Sequence, residues 1–423
     1  MVENEKTGYG GTIMRSINEK RLLERLHTLG TVGMDAEGRR TRQAVSDEDR
    51  AGRDLVAGWM RDAGLKVVTD RIGNLFGIWE TEQNKGEAPM MTGSHIDTVI
   101  DAGQYDGCYG VLSGLEVIQT LKESGCETRR PMVVCAFTNE EGVRYAPDLM
   151  GSIVFAGGYP LEKALAAVGT DGTILGEELK RIGYAGEAEP GFFKPYAFVE
   201  LHIEQGPILD AEGIPIGAVE NLQGISWQRI TIEGVANHAG TTPTNLRVDA
   251  GLAAAKVLTF MRERCTRPGG RTVATSGCMR FEPNAVNVIP SKAVFTIDMR
   301  NPYEEQLKED EQALADYLKE LEETDKVRIT AERMVRFEPV AFDERIVGLV
   351  EEAARGRGLS CRRMTSGAGQ DAQMMSRICP TAMVFVPSVK GISHSPKEFT
   401  AEPDLIAGAN VLLDVAAGLA GIK

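Results

Sequence analysis

The sequence predicts an α/β protein: a larger domain with a central mixed sheet flanked by helices, interrupted by a smaller α+β domain. Three observations lead there. Short apolar runs ("APMMTGSHID", "RPMVVCAFT", "YAFVELHIEQG", "TAMVFV") alternate with helical stretches, the order that gives crossover connections and an α/β sheet. From about residue 214 to 334 the chain changes character and alternates strand and helix in a self-contained block. A length of 423 residues exceeds what one core needs and suggests two or three domains. The expected division is 1–213 with 335–423, and 214–334 as the insertion.

The elements follow in order. From about Ile17 to Leu65 the pattern is helical, with Leu55, Trp59, Met60 and Leu65 near one face. "KVVTDRIGNLFGIW" reads as a hairpin around Gly73-Asn74. The strand "APMMTGSHID" runs into a polar loop, then a helix capped by Asp106 and closed by Gly125. "RPMVVCAFT" is the next strand, and after a helical, Gly-punctuated middle comes "YAFVELHIEQG". Within the inserted block, "KAVFTIDMR" alternates with period two and places Ala293, Phe295, Ile297 and Met299 on one face. A small antiparallel sheet covered by two helices satisfies that pattern. The chain resumes with the helix "DERIVGLVEEAARGRG", the loop "SGAGQDAQ", the strand "TAMVFV" and a helix from about Pro403 to Leu419.

A net charge of -14 argues against broad binding to nucleic acid or anionic membrane, since nothing offsets repulsion from phosphates. The polar start "MVENEKTGYGG" lacks the form of a signal peptide, and no run reads as a near-continuous apolar span of roughly 20 residues. Seven cysteines without a C-x-x-C pair read as reduced thiols. The expectation is a cytoplasmic protein.

Five histidines occur, and four of them (His95, His202, His238, His394) sit at strand exits or in small-residue loops, where scaffolds present chemistry. His27 lies in a helical stretch and reads as structural. "GSHIDTVIDAGQYDG" groups His95, Asp97 and Asp106 beyond one strand, a pattern suited to a metal site in which Asp97 steadies the imidazole and Asp106 bridges two cations. An adjacent acidic pair is usually solvent-facing. At the exit of "PMVVCAF", however, Glu140 and Glu141 divide into a ligand and a carboxylate base that takes a proton from metal-bound water. His202 in "LHIEQG" and His394 in "GISHSP" complete a set of N and O donors suited to zinc or a similar ion.

Eight motifs in order ("GSHIDTV", "NEEGVR", "ELHIEQGPIL", "NHAGTTP", "PNAVNVIP", "DMRNP", "SGAGQDAQ", "GISHSP") resemble the di-metal amidohydrolases that include N-carbamoyl-L-amino acid hydrolase, β-ureidopropionase and allantoate amidohydrolase, within a clan of aminoacylases and metallo-carboxypeptidases. The resemblance covers nearly the whole chain. It implies His95 and His202 as terminal ligands of one ion, Glu141 and His394 of the other, Asp106 as the bridge, Glu140 as general base and Asp97 as orienter. It also implies that the larger domain is catalytic and metal-binding, and that the insertion is a lid that makes a homodimer interface. His238 would reach the partner's site to stabilise an oxyanion, with Asn287 and Arg300 gripping substrate and Gln205 bonding its ureido group or carboxylate.

The expected activity is hydrolysis of a linear C–N bond of a small ureido substrate bearing a carboxylate, an N-carbamoyl-L-amino acid first and allantoate second. A dipeptidase-like metallopeptidase and a catalytically silent binding protein are further alternatives. Two divalent ions per subunit are expected: zinc first, with manganese, cobalt or nickel as alternatives. The chain departs from the pattern at Gln370, where a histidine is common and a substrate contact is expected. Val143, Tyr145 and Cys108 are further departures.

Overall fold

The computed structural model describes residues 15–422. Instead of one helical stretch from Ile17 to Leu65, two helices form, α1 (Glu19–Gly30) and α2 (Asp47–Asp62), capped by the side chains of Asn18 and Ser46. Gly33, with φ of 79°, takes the left-handed backbone that a continuing helix cannot use. The expected hairpin is β1 (Lys66–Thr69) with β2 (Leu75–Trp79), antiparallel in register Thr69 to Leu75. Then come β3 (Met90–His95), α3 (Cys108–Glu123) and β4 (Met132–Phe137). Short helices α4 (Met150–Phe155), α5 (Leu161–Leu165) and α6 (Leu175–Ile182) lead to β5 (Ala197–Ile203), α7 (Ile208–Glu212) and β6 (Ile216–Leu222).

The next stretch holds β7 (Gly224–Glu233), β8 (Asn237–His238), α8 (Ala250–Thr266), β9 (Val273–Thr275), β10 (Met279–Glu282), β11 (Val288–Ile289), β12 (Lys292–Asn301), α9 (Glu304–Thr324) and β13 (Arg328–Phe337). Last are β14 (Val340–Ala341), α10 (Glu344–Gly356), β15 (Cys361–Ser366), α11 (Asp371–Met375), β16 (Thr381–Val386) and α12 (Glu402–Ala420).

Two compact units result: one runs up to Glu220 and resumes at Phe342, and the other is Asn221–Ala341. The inserted unit thus starts and ends about seven residues later than the 214–334 read from sequence, because β6 pairs with β16 in the large sheet.

The large sheet has the order β1-β2-β4-β3-β5-β16-β6-β14, with β15 also on β6. Its middle, β4-β3-β5-β16, is parallel, and β2 and β6 join it antiparallel. Every residue of those four middle strands is buried, which accounts for their near-continuous apolar sequences. Helix α12 is long and apolar enough to cross a bilayer by length and composition, but most of it is buried and it packs on α3 and β16. The parallel strands all end at one edge, so the segments after β3, β4, β5 and β16 converge there, the usual place for a site in such sheets.

Two fully buried arginines fasten these exits from behind. Arg42 donates from Nε to Ile96 O at 2.8 Å and from Nη1 to Val32 O at 2.8 Å, while Nη2 meets Cys108 Sγ at 3.0 Å. Arg53 pairs with Asp49 at 2.7 Å and donates to Gly73 O and Thr138 Oγ1. Cys108, which stands out in the sequence, is thus a buried acceptor for Arg42.

In the inserted unit the antiparallel sheet runs β10-β12-β7-β13, with β9 on β12 and a separate β8-β11 pair. Strand β12 alternates strictly, and Ala293, Phe295, Ile297 and Met299 face a core completed by Ala253 and Val257 of α8 and Leu307 and Leu314 of α9. Full burial of each larger aliphatic side chain contributes about 1.5–3 kcal/mol.

Candidate metal centre

His95 ends β3, Glu140 and Glu141 follow β4, His202 is the next-to-last residue of β5, and His394 follows β16. Asp106 was expected to cap α3 but does not. Gly107, with φ of 64°, occupies the cap position, and no side chain caps the helix. The Asp106 carboxylate is drawn instead to three imidazoles. Its Oδ1 lies 3.2 Å from His202 Nε2 and 3.7 Å from His95 Nε2, and its Oδ2 lies 3.3 Å from His394 Nε2. A Cβ on Gly107 would fall 2.4 Å from His95 Nε2, so glycine is required there for space as well as for backbone angle.

Donor atoms of His95, Asp106 and His202 lie within 4.8 Å of one another, and so do those of Asp106, Glu141 and His394. The two groups share Asp106. A third grouping, His95 with Glu140 and Glu141, also meets that distance. His95 has one Nε2 lone pair, however, so filling the first two groups leaves Glu140 as an unshared carboxylate, 3.5 Å from His95.

The ring nitrogens facing away are held by backbone oxygens: His95 Nδ1 by Asp97 O at 2.9 Å and His202 Nδ1 by Ile203 O at 2.8 Å. Both contacts suit Nδ1–H tautomers that turn Nε2 toward the cluster. The Asp97 carboxylate, expected to steady the imidazole, sits 3.8 Å from His95 Nδ1 and accepts instead from the backbone N–H groups of Glu140 and Glu141, each at 3.3 Å. It orients the acidic turn.

The buried acidic and imidazole groups of the cluster perturb one another strongly. Burial, then mutual repulsion with nearby carboxylates, raises Glu140 and Glu141 well above the ordinary range. Burial lifts Asp97 to about 7 and lowers His95 to about 4. Burial opposes the charge on Asp106 as well, but hydrogen bonds with His202 and His394 outweigh it and hold that carboxyl well below its usual value. His202 rises to about 9 because Asp106 overcomes the effect of burial.

Glu141 Oε1 is buried without a hydrogen-bond partner. A desolvated carboxylate oxygen with no donor, beside imidazoles and other carboxylates, fits a hard or borderline divalent cation bound through N and O atoms.

Gln205 and Gln370 join the cluster: Gln370 Nε2 donates to Gln205 Oε1 and Gln205 Nε2 to Asp106 Oδ2, both at 2.8 Å. Sequence reasoning assigned no role to Ser393 or Glu398. Ser393 Oγ lies 3.1 Å from Asp106 Oδ2 and 3.0 Å from Glu398 Oε2, and Glu398 Oε1 accepts from the backbone N of Tyr105 and Asp106. Glu398 follows the "GISHSP" motif, so its position two residues past Ser395-Pro396 was the available signal. Tyr145 is buried and bonded to Thr173, and with Arg144 it anchors the loop after Glu141. Val143 has no such visible role.

His238, Asn287 and Arg300 lie in the inserted unit. His238 Nδ1 accepts from the backbone N of Gly240 and Thr241 at 3.0 and 3.2 Å, which leaves Nε2 as the protonated, donating nitrogen of an exposed ring. Asn287 O accepts from Ala239 N beside it, and Arg300 pairs with Asp298 at 3.0 Å.

The family model of peptidase family M20/M25/M40 matches residues 91–418. The chain belongs to that family. The family is metal-dependent, and the His/Asp/Glu cluster is where this chain could hold metal. An N-carbamoyl-L-amino-acid amidohydrolase of Rhizobium meliloti is 39% identical over 94% of this chain and 95% of its own length. An allantoate amidohydrolase of Bacillus subtilis is 34% identical over 92% and 94%. Among solved structures, an amidase of the hydantoinase/carbamoylase family from Burkholderia multivorans is 42% identical, covers 96% of this chain and 98% of its own, and superposes with a TM-score of 0.92.

Proposed function

We propose that this protein is an amidohydrolase that cleaves the linear C–N bond of an N-carbamoyl-L-amino acid, giving the amino acid, CO2 and ammonia. One arrangement carries the reading: two donor groups joined at Asp106 with the Glu140 carboxylate left over beside them. The relatives' substrates supply the chemical class. His95, Asp106 and His202 would hold one divalent cation, and Asp106, Glu141 and His394 a second. Zinc, manganese, cobalt and nickel all suit these donors. Bound cations would supply Lewis acidity toward the ureido carbonyl and a lowered pKa for the attacking water.

This chain's own groups do the rest. Glu140 accepts the water's proton and returns it to the departing nitrogen, a shuttle that calls for a carboxylate near the reacting atoms but outside the ligand set. Asp97 fixes the turn that aims it. In a homodimer joined through the inserted unit, His238 of the partner subunit would donate from Nε2 to the oxyanion, and Arg300 would pair with the substrate carboxylate.

Allantoate is the second reading, favoured by the Bacillus subtilis relative, since it also carries ureido and carboxylate groups. Ammonia release by cation-reconstituted protein from N-carbamoyl-L-amino acids and from allantoate, each with a chelator control, tests both. Chelator-sensitive release from the former is expected. Release from allantoate alone would replace the substrate, and cleavage of dipeptides without ammonia would replace the reaction.

A further inference from the structure

We propose that Gln370 is a positioning residue that locks the Gln205 amide with its N–H groups toward the cluster, so that Gln205 recognises only an acceptor atom of the substrate. The inference rests on the ureido reading above and deepens it.

A side-chain amide can face either way, and here its neighbours decide. Asp106, ringed by imidazoles, offers Gln205 only acceptor oxygens, and Oδ2 is 2.8 Å from Gln205 Nε2. The reverse orientation would set an amide oxygen against a carboxylate oxygen at that distance. Gln205 Oε1 therefore faces Gln370, which must donate, and Gln370 Nε2 is 2.8 Å away.

Both ends are anchored. Gln370 is 2% exposed at the start of α11, and Gln205 holds a positive φ of 58° with its backbone N donating to Ser388 Oγ at 2.9 Å. The second N–H of Gln205 remains on the side of His394 Nε2, 3.5 Å away, at the exposed edge of the cluster. A ligand arriving there meets a donor. A ureido carbonyl or carboxylate oxygen fits it, and an N–H of the ligand does not. At a position where a histidine is common, the glutamine supplies a donor whose polarity does not depend on protonation.

The test compares Gln370→Met, Gln370→Glu and Gln370→His in full-length, cation-reconstituted enzyme, on an N-carbamoyl-L-amino acid and on its α-carboxamide. Cation content and melting temperature are measured for each variant. Methionine removes the donor, glutamate faces Gln205 with acceptors, and histidine can restore a donor of similar reach. The expected result is a fall in kcat/KM of about ten- to hundredfold for the Met and Glu variants at unchanged cation content, with most activity kept by the His variant.

A loss confined to the acid and carried by KM would assign the acceptor as the substrate carboxylate. An equal loss on both substrates carried by kcat would assign it as the ureido oxygen, and either outcome sustains the proposal. Met and Glu variants within twofold of wild type, a His variant as impaired as the Met variant, or losses that track cation content would overturn it. Wild-type protein inactive on both substrates would remove the ureido reading, and this inference with it.

Discussion

Stripping the proposed cations should make the protein progressively less stable between pH 6.5 and about 8.5, while the loaded protein changes far less. The sign follows from which state binds protons more tightly. His202 rises from 6.5 to about 9 in the fold, so its stabilising charge is fully present below 6.5 and is lost as pH climbs toward 9. At about 1.4 kcal/mol per pH unit, the two units of that window remove about 3 kcal/mol. Glu140 and Glu141 act in the same direction, since raised carboxyl pKa values mean that ionisation above the ordinary range penalises the fold. Asp97, lifted to about 7, adds its last part below neutrality.

His95 works in the opposite sense, but its lowering from 6.5 to about 4 is spent below this window. Asp70, also near 7 through burial, lies apart from the donor groups and cancels when loaded and chelated samples are compared. Cation binding fixes the imidazoles neutral and the carboxylates ionised, and so it releases protons and gains affinity with pH. A loss of about 3 kcal/mol corresponds to roughly 5 °C in melting temperature for the larger unit of about 300 residues. Differential scanning fluorimetry of chelated and reconstituted protein at half-unit pH steps measures the gap directly. A gap that stays constant or narrows as pH rises would refute the assignment of these groups to a cation site.

Three further outcomes are expected. Glu140→Gln should keep its cations and lose about 10²- to 10⁴-fold in kcat, and the cation-free form should gain stability above neutral pH because a repelled carboxylate is gone; metal analysis with turnover and melting curves checks this. Gly107→Ala should lower cation affinity by at least an order of magnitude, since the new Cβ meets His95 Nε2 at 2.4 Å and the positive φ adds about 1–2 kcal/mol of strain; calorimetric titration with zinc reads it. Arg42→Met should cost about 3 kcal/mol or more in chemical unfolding, because several buried backbone acceptors lose their donor at once.

The sheet strands were legible because their burial leaves a plain mark, continuous apolar runs in β3, β4, β5 and β16 and strict alternation in β12. The convergence of His95, Glu141, His202 and His394 was legible for a related reason: each lies at or beyond the end of a strand that the parallel sheet brings to one edge. Contacts set by distant chain were not. Asp106 precedes a helix and so looks like a cap, yet residues nearly a hundred positions on and beyond draw its carboxylate away. Nothing in the sequence marks Arg42 and Arg53, because it does not show that backbone carbonyls will surround a guanidinium. Strand β6 falls inside the 214–334 block read from sequence, and only its pairing with β16 places it in the large sheet.

The contrast among the acidic groups bears on how the work is divided. Asp106 and Glu140 are both buried, and burial raises both; what differs is the company each keeps. Asp106 has imidazoles on both oxygens and stays anionic, which suits its proposed role between the two donor sets. Glu140 has carboxylates around it and is pushed up, which suits the proposed role of taking a proton and returning it. Environments that drive like groups apart are how a site assigns acid–base roles. Asp97 makes the difference usable: by accepting from the backbone of both Glu140 and Glu141, it turns one glutamate toward His95 and the other toward His394. Two adjacent residues with the same chemistry thereby face different neighbours, and the turn between them separates the proposed ligand from the proposed base.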